Sequence, residues 1–160
     1  MKRVAALALL FLSPAAQARE SLGVFEAWGA FRDAQPQRCF AIAEPARGGG
    51  SKWRPFASIA NWPAQGVRGQ VHIRLSREKR ADAIITITVD DRRTTLIGSG
   101  ADAWAPDKRI DAAIIAAIRS GRSMSISTVA ATGGGFADTY ALKGAATAID
   151  ASALGCARSR

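Results

Sequence analysis

The chain has 160 residues, 48% of them hydrophobic, and carries 22 Lys and Arg against 13 Asp and Glu for a formal charge of +9. Two cysteines and a single histidine are too few for a zinc set, and neither a Cys-x-x-Cys pair nor an oxygen-rich calcium loop is present, so metal and dithiol chemistry have no support. What remains is a basic chain of single-domain size, with an affinity for anionic surfaces rather than a catalytic signature.

The first eighteen residues read as a secretory signal peptide. Met1-Lys2-Arg3 is a basic head, Val4 to Leu12 is apolar, Ser13-Pro14 breaks the run, and Ala16-Gln17-Ala18 has the small-x-small pattern of a cleavage site. The apolar run is short for a bilayer span, and a retained anchor is the competing reading. Cleavage after Ala18 leaves one domain over 19–160, about 140 residues with a charge of about +7, long enough to bury its own core. No second apolar segment follows, so no transmembrane segment is expected in the mature chain. The expected location is the periplasm or the exterior.

Val24 to Phe31 and Cys39 to Ala43 read as strands, and Pro45 to Lys52 with Gly48-Gly49-Gly50 as a flexible loop. Ala57 to Trp62 is a further strand, stopped by Pro63. Val71, Ile73 and Leu75 alternate with His72, Arg74 and Ser76, the mark of a half-buried strand. Ala83, Ile85, Ile87 and Val89 repeat the pattern in a β-branched run, after a charged turn over Arg77–Asp82. Asp90-Asp91-Arg92 turns the chain into Thr94–Ile97, and these three strands read as an antiparallel meander. Asp102 and Asp107 flank Trp104 and Pro106 in what reads as a surface loop.

Asp107 is placed to cap a helix running to Ser120 and ending at Gly121, with Ile110, Ile114, Ile115 and Ile118 on one stripe. Met124, Ile126 and Thr128 alternate once more, Gly133-Gly134-Gly135 makes a hairpin tip, and Phe136 to Leu142 returns. A second, alanine-rich helix covers Gly144 to Leu154. The expected fold is mainly β: a small antiparallel β-sandwich, immunoglobulin-like or a strongly bent sheet, with two short helices in the C-terminal half. Cys39 and Cys156 are expected to form one disulfide in an oxidising compartment, tying an early strand to the tail; free or intermolecular thiols are the alternative.

Several of these residues together resemble the invasion-associated locus B family of alphaproteobacterial secreted proteins. They are Trp28-Gly29 in an early strand, Cys39 in the next, and the helix ending Ile118-Arg119-Ser120-Gly121 ahead of Met124. Tyr140-Ala141-Leu142-Lys143-Gly144 then runs into Ala148-Ile149-Asp150. The resemblance implies a β-sandwich domain with a leucine-x-glycine turn before an alanine-containing helix. It implies no catalytic residues, because none are recognised in the family, which is known mainly through a protein linked to host-cell invasion. Members often carry extra cysteines in mid-chain, whereas this one has only Cys39 and Cys156.

His72 lies on the expected outer face of a strand, there is no Gly-x-Ser-x-Gly elbow, and Ser99 sits in a glycine turn. Trp28 and Trp62 lie in strand-like stretches and read as core. Trp53, between Lys52 and Arg54, reads as an exposed aromatic flanked by positive charge. Arg77, Lys79 and Arg80 form the densest basic knot, with Glu78 and Asp82 beside them, and mixed runs of this kind are commonly solvated turns. The candidate binding surface is therefore Lys52, Trp53, Arg54, Arg77, Lys79 and Arg80, with no catalytic, cofactor or metal residues. The expected role is a non-enzymatic, exported, envelope-associated binding or structural protein, with an envelope protein, anionic lipid or glycan as partner and no nucleic acid. The alternatives are a secreted protein acting on another cell surface, or a periplasmic hydrolase assembled from scattered residues.

Overall fold

A computed structural model of the chain describes residues 19–47 and 52–157. The leader, its cleavage site and the Gly48-Gly49-Gly50 loop lie outside the described residues. Ten strands form one antiparallel sheet: β1 (Glu20–Phe25), β2 (Trp28–Asp33), β3 (Arg38–Ala43), β4 (Phe56–Trp62), β5 (Val67–Arg74), β6 (Ile85–Val89), β7 (Arg92–Ser99), β8 (Asp102–Trp104), β9 (Ser123–Val129) and β10 (Gly135–Ala141). Two helices complete it, α1 (Lys108–Ser120) and α2 (Ala145–Ala157). The mainly β architecture with two C-terminal-half helices is as expected, in its bent-sheet form.

The strand order is β1-β2-β3-β4-β5-β8-β7-β6-β9-β10. This corrects the expected meander: β5 pairs with β8, not β6, through His72↔Trp104 and Arg74↔Asp102. Asp102–Trp104 is therefore a strand and not a surface loop. β7 serves both halves, pairing with β6 over Arg92–Leu96 and with β8 over Ile97–Ser99. Where it changes partner, a Cβ on Gly98 would lie 2.2 Å from the Asp102 carbonyl, so the close backbone approach requires glycine. Val24–Phe31 is not one strand either. It spans a two-residue hairpin in which Phe25 pairs with Trp28 and Glu26 adopts φ 55°.

One face of the sheet is covered by the helices. Under α2 it is built from small residues, Ala30, Ala41, Ala43 and Ala57, opposite buried Ala145 and Ala148 on the helix, so helix and sheet approach closely. α2 extends three residues beyond the expected end, which brings Cys156 onto the helix and into a disulfide with Cys39 of β3, Cα–Cα 5.7 Å. The capping expectation for α1 holds: the Asp107 side chain accepts the Ile110 N–H at 2.8 Å. Asp111 of the same helix accepts the Val71 N–H at 2.8 Å and ties α1 to β5. Ile73, Ile85, Ile87, Ile118, Met124 and Ile126 continue the core away from α2.

The sheet curls without closing. Residues after β3 reach its far end: Ala46 N–H donates to the Thr139 carbonyl at 2.7 Å, and Thr139 N–H to the Arg47 carbonyl at 2.8 Å. Buried Trp28 donates from Nε1 to the Ala141 carbonyl at 2.9 Å. These contacts partly satisfy the free edge of β10.

Candidate functional site

The face of β2–β5 and β8 turned away from the helices is also apolar. Pleating puts Gly29 and Phe31 of β2, Phe40 and Ile42 of β3, Phe56 and Ser58 of β4, His72 of β5 and Trp104 of β8 on that side, through the pairs Phe31↔Phe40, Ile42↔Ser58, Ser58↔His72 and His72↔Trp104. At its two ends Val24 is 71% exposed and Ile97 54% exposed. From Val24 to His72 runs an open groove of about 860 Å³, floored by Phe31, Phe40, Ile42 and Phe56. No helix among the described residues covers this side, and a large apolar patch of this kind is the ordinary mark of an interaction surface.

Charged pairs rim the groove. Glu44 pairs with Arg54, and Lys143 with Glu26 at 2.9 Å. At the β2–β3 end Asp33 accepts from both Arg19 (2.8 Å) and Arg38 (2.5 Å), and both guanidinium groups lie over the Phe40 ring, at 5.0 and 4.4 Å from its centroid. Burial would raise the Asp33 pKa, but the hydrogen bonds and charges of the two arginines outweigh it and hold the carboxyl below its usual range. At the other end Asp102 accepts from His72 Nε2 at 2.9 Å and from Arg74 at 2.5 Å. Burial again raises and these two partners lower, leaving Asp102 below the usual range. The His72 and Trp104 rings are parallel within 3° at 5.0 Å, and Phe56 meets His72 edge-on.

Ser58, His72 and Asp102 thus share one face, the convergence that a scattered hydrolase would require. The arrangement does not make an acyl-transfer site. Asp102 holds Nε2 of His72, but no hydrogen bond joins Ser58 to either ring nitrogen among the described residues. The surrounding strands are interior to the sheet, so their amides are committed to ladder bonds and form no oxyanion pair.

The residues singled out from the sequence fall differently. Trp53 is not a free-standing exposed aromatic: it is half-buried, packs against the core, donates from Nε1 to the Leu75 carbonyl at 2.7 Å and lies under Arg74. Lys52 and Arg54 are exposed, and only Arg54 lines the groove. Lys79 is 7% exposed, its Nζ bound to the Ala81 carbonyl at 2.8 Å, so it cannot serve a surface. Arg77 lies over Phe136, and Arg80 pairs with Asp82. Trp62, expected in the core, is half-buried, with Nε1 on Gln70 and Arg38 over its ring. The groove residues were missed, although a signal existed: Phe40-Ala41-Ile42 is apolar at consecutive positions, which requires both faces of β3 to be sheltered.

Two other sites carry less. A cleft of about 320 Å³ lies between the end of α2 and the β4–β5 turn, with Asn61, Arg68 and Cys156 in its wall. Inside the sheet, Asp138 is fully buried and accepts the Ser76 N–H at 2.8 Å, while its Oδ1, Tyr140 Oη and Thr128 Oγ1 have no partner among the described residues. Burial and the Asp138 charge push the Tyr140 pKa far up, so the phenol stays protonated.

A sequence model described as invasion associated locus B (IalB) protein matches residues 30–153. The chain belongs to the invasion-associated locus B family. A solved structure titled invasion associated protein B, from Bartonella henselae, is similar to this IalB-family chain with a TM-score of 0.58 at 15% identity, covering 84% of this chain and 97% of that one. At that identity the likeness shows the fold alone. No relative among curated proteins matches this family member. The family match spans β2 to α2, and so takes in most of the groove floor and the helix that carries Cys156. No helix among its described residues is long and apolar enough to cross a membrane.

Proposed function

We propose that this IalB-family protein is an exported, non-enzymatic binding protein of the cell envelope, and that the outer face of β2–β5 and β8 is its binding surface. One observation carries the reading. The sheet is apolar on both sides, yet among the described residues the two helices cover only one, leaving Phe31, Ile42, Phe56 and Trp104 half-buried and Val24 and Ile97 exposed. Such a face costs solubility unless something occupies it. Export is supported by the basic-apolar-AxA leader, with cleavage after Ala18, and by a disulfide that an oxidising compartment would maintain.

The test is a comparison. The exported protein and its Val24→Asp/Ile97→Asp variant are used to capture material from envelope extract, and retained proteins, lipids and glycans are identified by mass spectrometry. Both positions are exposed, so the variant keeps its fold, checked by circular dichroism. At least one retained species should disappear with the variant. An identical retained set for both proteins would refute the assignment of this face.

A further inference from the structure

The charges around the groove do not cancel, and the remainder has a definite place. Glu44 with Arg54 and Glu26 with Lys143 are neutral pairs, whereas Asp33 is shared by Arg19 and Arg38. One guanidinium charge is left over, directly above Phe40 at the end of the apolar floor. Building on the binding-surface reading above, we infer that the groove takes a single-chain acyl carboxylate, with the chain along Phe31, Ile42 and Phe56 and the head against Arg19 and Arg38.

Three features select this class. The floor is apolar across three strands at ~4.8 Å spacing, roughly 10 Å from β2 to β4, enough to shelter much of an extended chain. The surplus at this end is positive, and the α-ammonium that cleavage after Ala18 gives Arg19 adds to it, which suits an anionic head, and both arginines already bind a carboxylate through their forked N–H groups. A glycan fits poorly, because sugars stack on open ring faces. Here the ring at the charged end, Phe40, lies beneath two guanidinium groups, and His72 and Trp104 each cover one face of the other.

The experiment is calorimetric titration of the exported protein with octanoate, decanoate and dodecanoate below their micellar concentrations. Dodecanol and dodecyltrimethylammonium serve as neutral and cationic counterparts. The expected result is one saturable site, tightening roughly two- to fourfold per added methylene, with the cation at least tenfold weaker than dodecanoate. Arg19→Gln removes the surplus guanidinium but leaves the Arg38–Asp33 pair, and should weaken dodecanoate about three- to fivefold while leaving dodecanol unchanged. Val24→Asp should weaken every anion, and Val24→Lys should not. Absence of saturable dodecanoate binding, equal binding of the cation, or indifference to both Arg19→Gln and Val24→Asp would overturn the inference. If dodecanoate fails while Val24→Asp/Ile97→Asp still loses a captured species, only the ligand class falls. If the captured set is also unchanged, the surface falls with it.

Discussion

The disulfide gives the sharpest quantitative expectation. Cys39 and Cys156 are 117 residues apart, so the bond restricts nearly the whole chain when the protein unfolds. The chain-entropy relation for a loop of that length gives about 5 kcal/mol, an upper value against measured losses of ~2–5 kcal/mol. The helix it fastens has little else of size: α2 buries Ala145, Ala148, Ile149, Ser152, Gly155 and Cys156, of which only Ile149 is a large aliphatic side chain. Alanine burial is worth little, so the covalent tie should supply a large share of what holds α2 to β1–β4. The Cys39→Ala/Cys156→Ala variant should therefore lower Tm by ~10–15 °C, taking ~3–4 kcal/mol at ~3–4 °C per kcal/mol for a domain of this size. Hydrogen exchange should accelerate more in α2 than in β6 and β9. The assay is thermal unfolding followed by circular dichroism, with and without a reductant, which should reproduce the variant in the unmodified protein. A Tm shift under about 3 °C would refute the reasoning, because a loop of this length cannot close so cheaply if the unfolded chain is otherwise unrestrained.

Gly144 adopts φ +89°, and a Cβ there would lie 1.9 Å from the Phe25 carbonyl oxygen, so Gly144→Ala should cost at least ~3 kcal/mol in urea denaturation, with Gly134→Ala, at φ +82° but in open space, costing only the backbone strain. Asp33 and Asp102 have folded-state pKa values below their unfolded ones, so the folded protein binds fewer protons. Their contribution is complete above about pH 4, the unfolded value, and is lost as pH falls through the lowered folded values. The urea midpoint should accordingly drop below pH 4, and Asp102→Asn should flatten that acid limb; an unchanged limb would exclude Asp102 as its source. Tyr140→Phe removes a buried hydroxyl without a partner among the described residues and should be neutral or stabilising by up to ~1 kcal/mol, whereas a loss beyond ~1 kcal/mol would mean the hydroxyl is bonded in solution.

Much of the local structure was legible because it rests on short-range chemistry. The aspartate cap and isoleucine stripe of α1, the alternation in β5, β6 and β9 and the glycine tip before β10 each follow from residues within one turn or one strand. The β1–β2 hairpin escaped notice because its tight turn is Glu26-Ala27, with Glu26 at a positive φ that glycine or asparagine would have signalled. β8 escaped because three residues are too few for a period, and without it β5 and β6 appear to be neighbours.

The sequence by itself determined the balance of strands and helices and the family to which the chain belongs, and it left Cys39 only one intramolecular partner, since each depends on residue types and spacing that survive in one dimension. Tertiary structure alone decided which strands adjoin, that Trp53 and Lys79 are anchored rather than free, and that Arg19, Asp33 and Arg38 assemble over Phe40 at the end of a second apolar face. The physical reason is separation along the chain. A strand exposes its period locally, but what covers each of its faces comes from elements tens of residues away, and only folding determines which face is left bare.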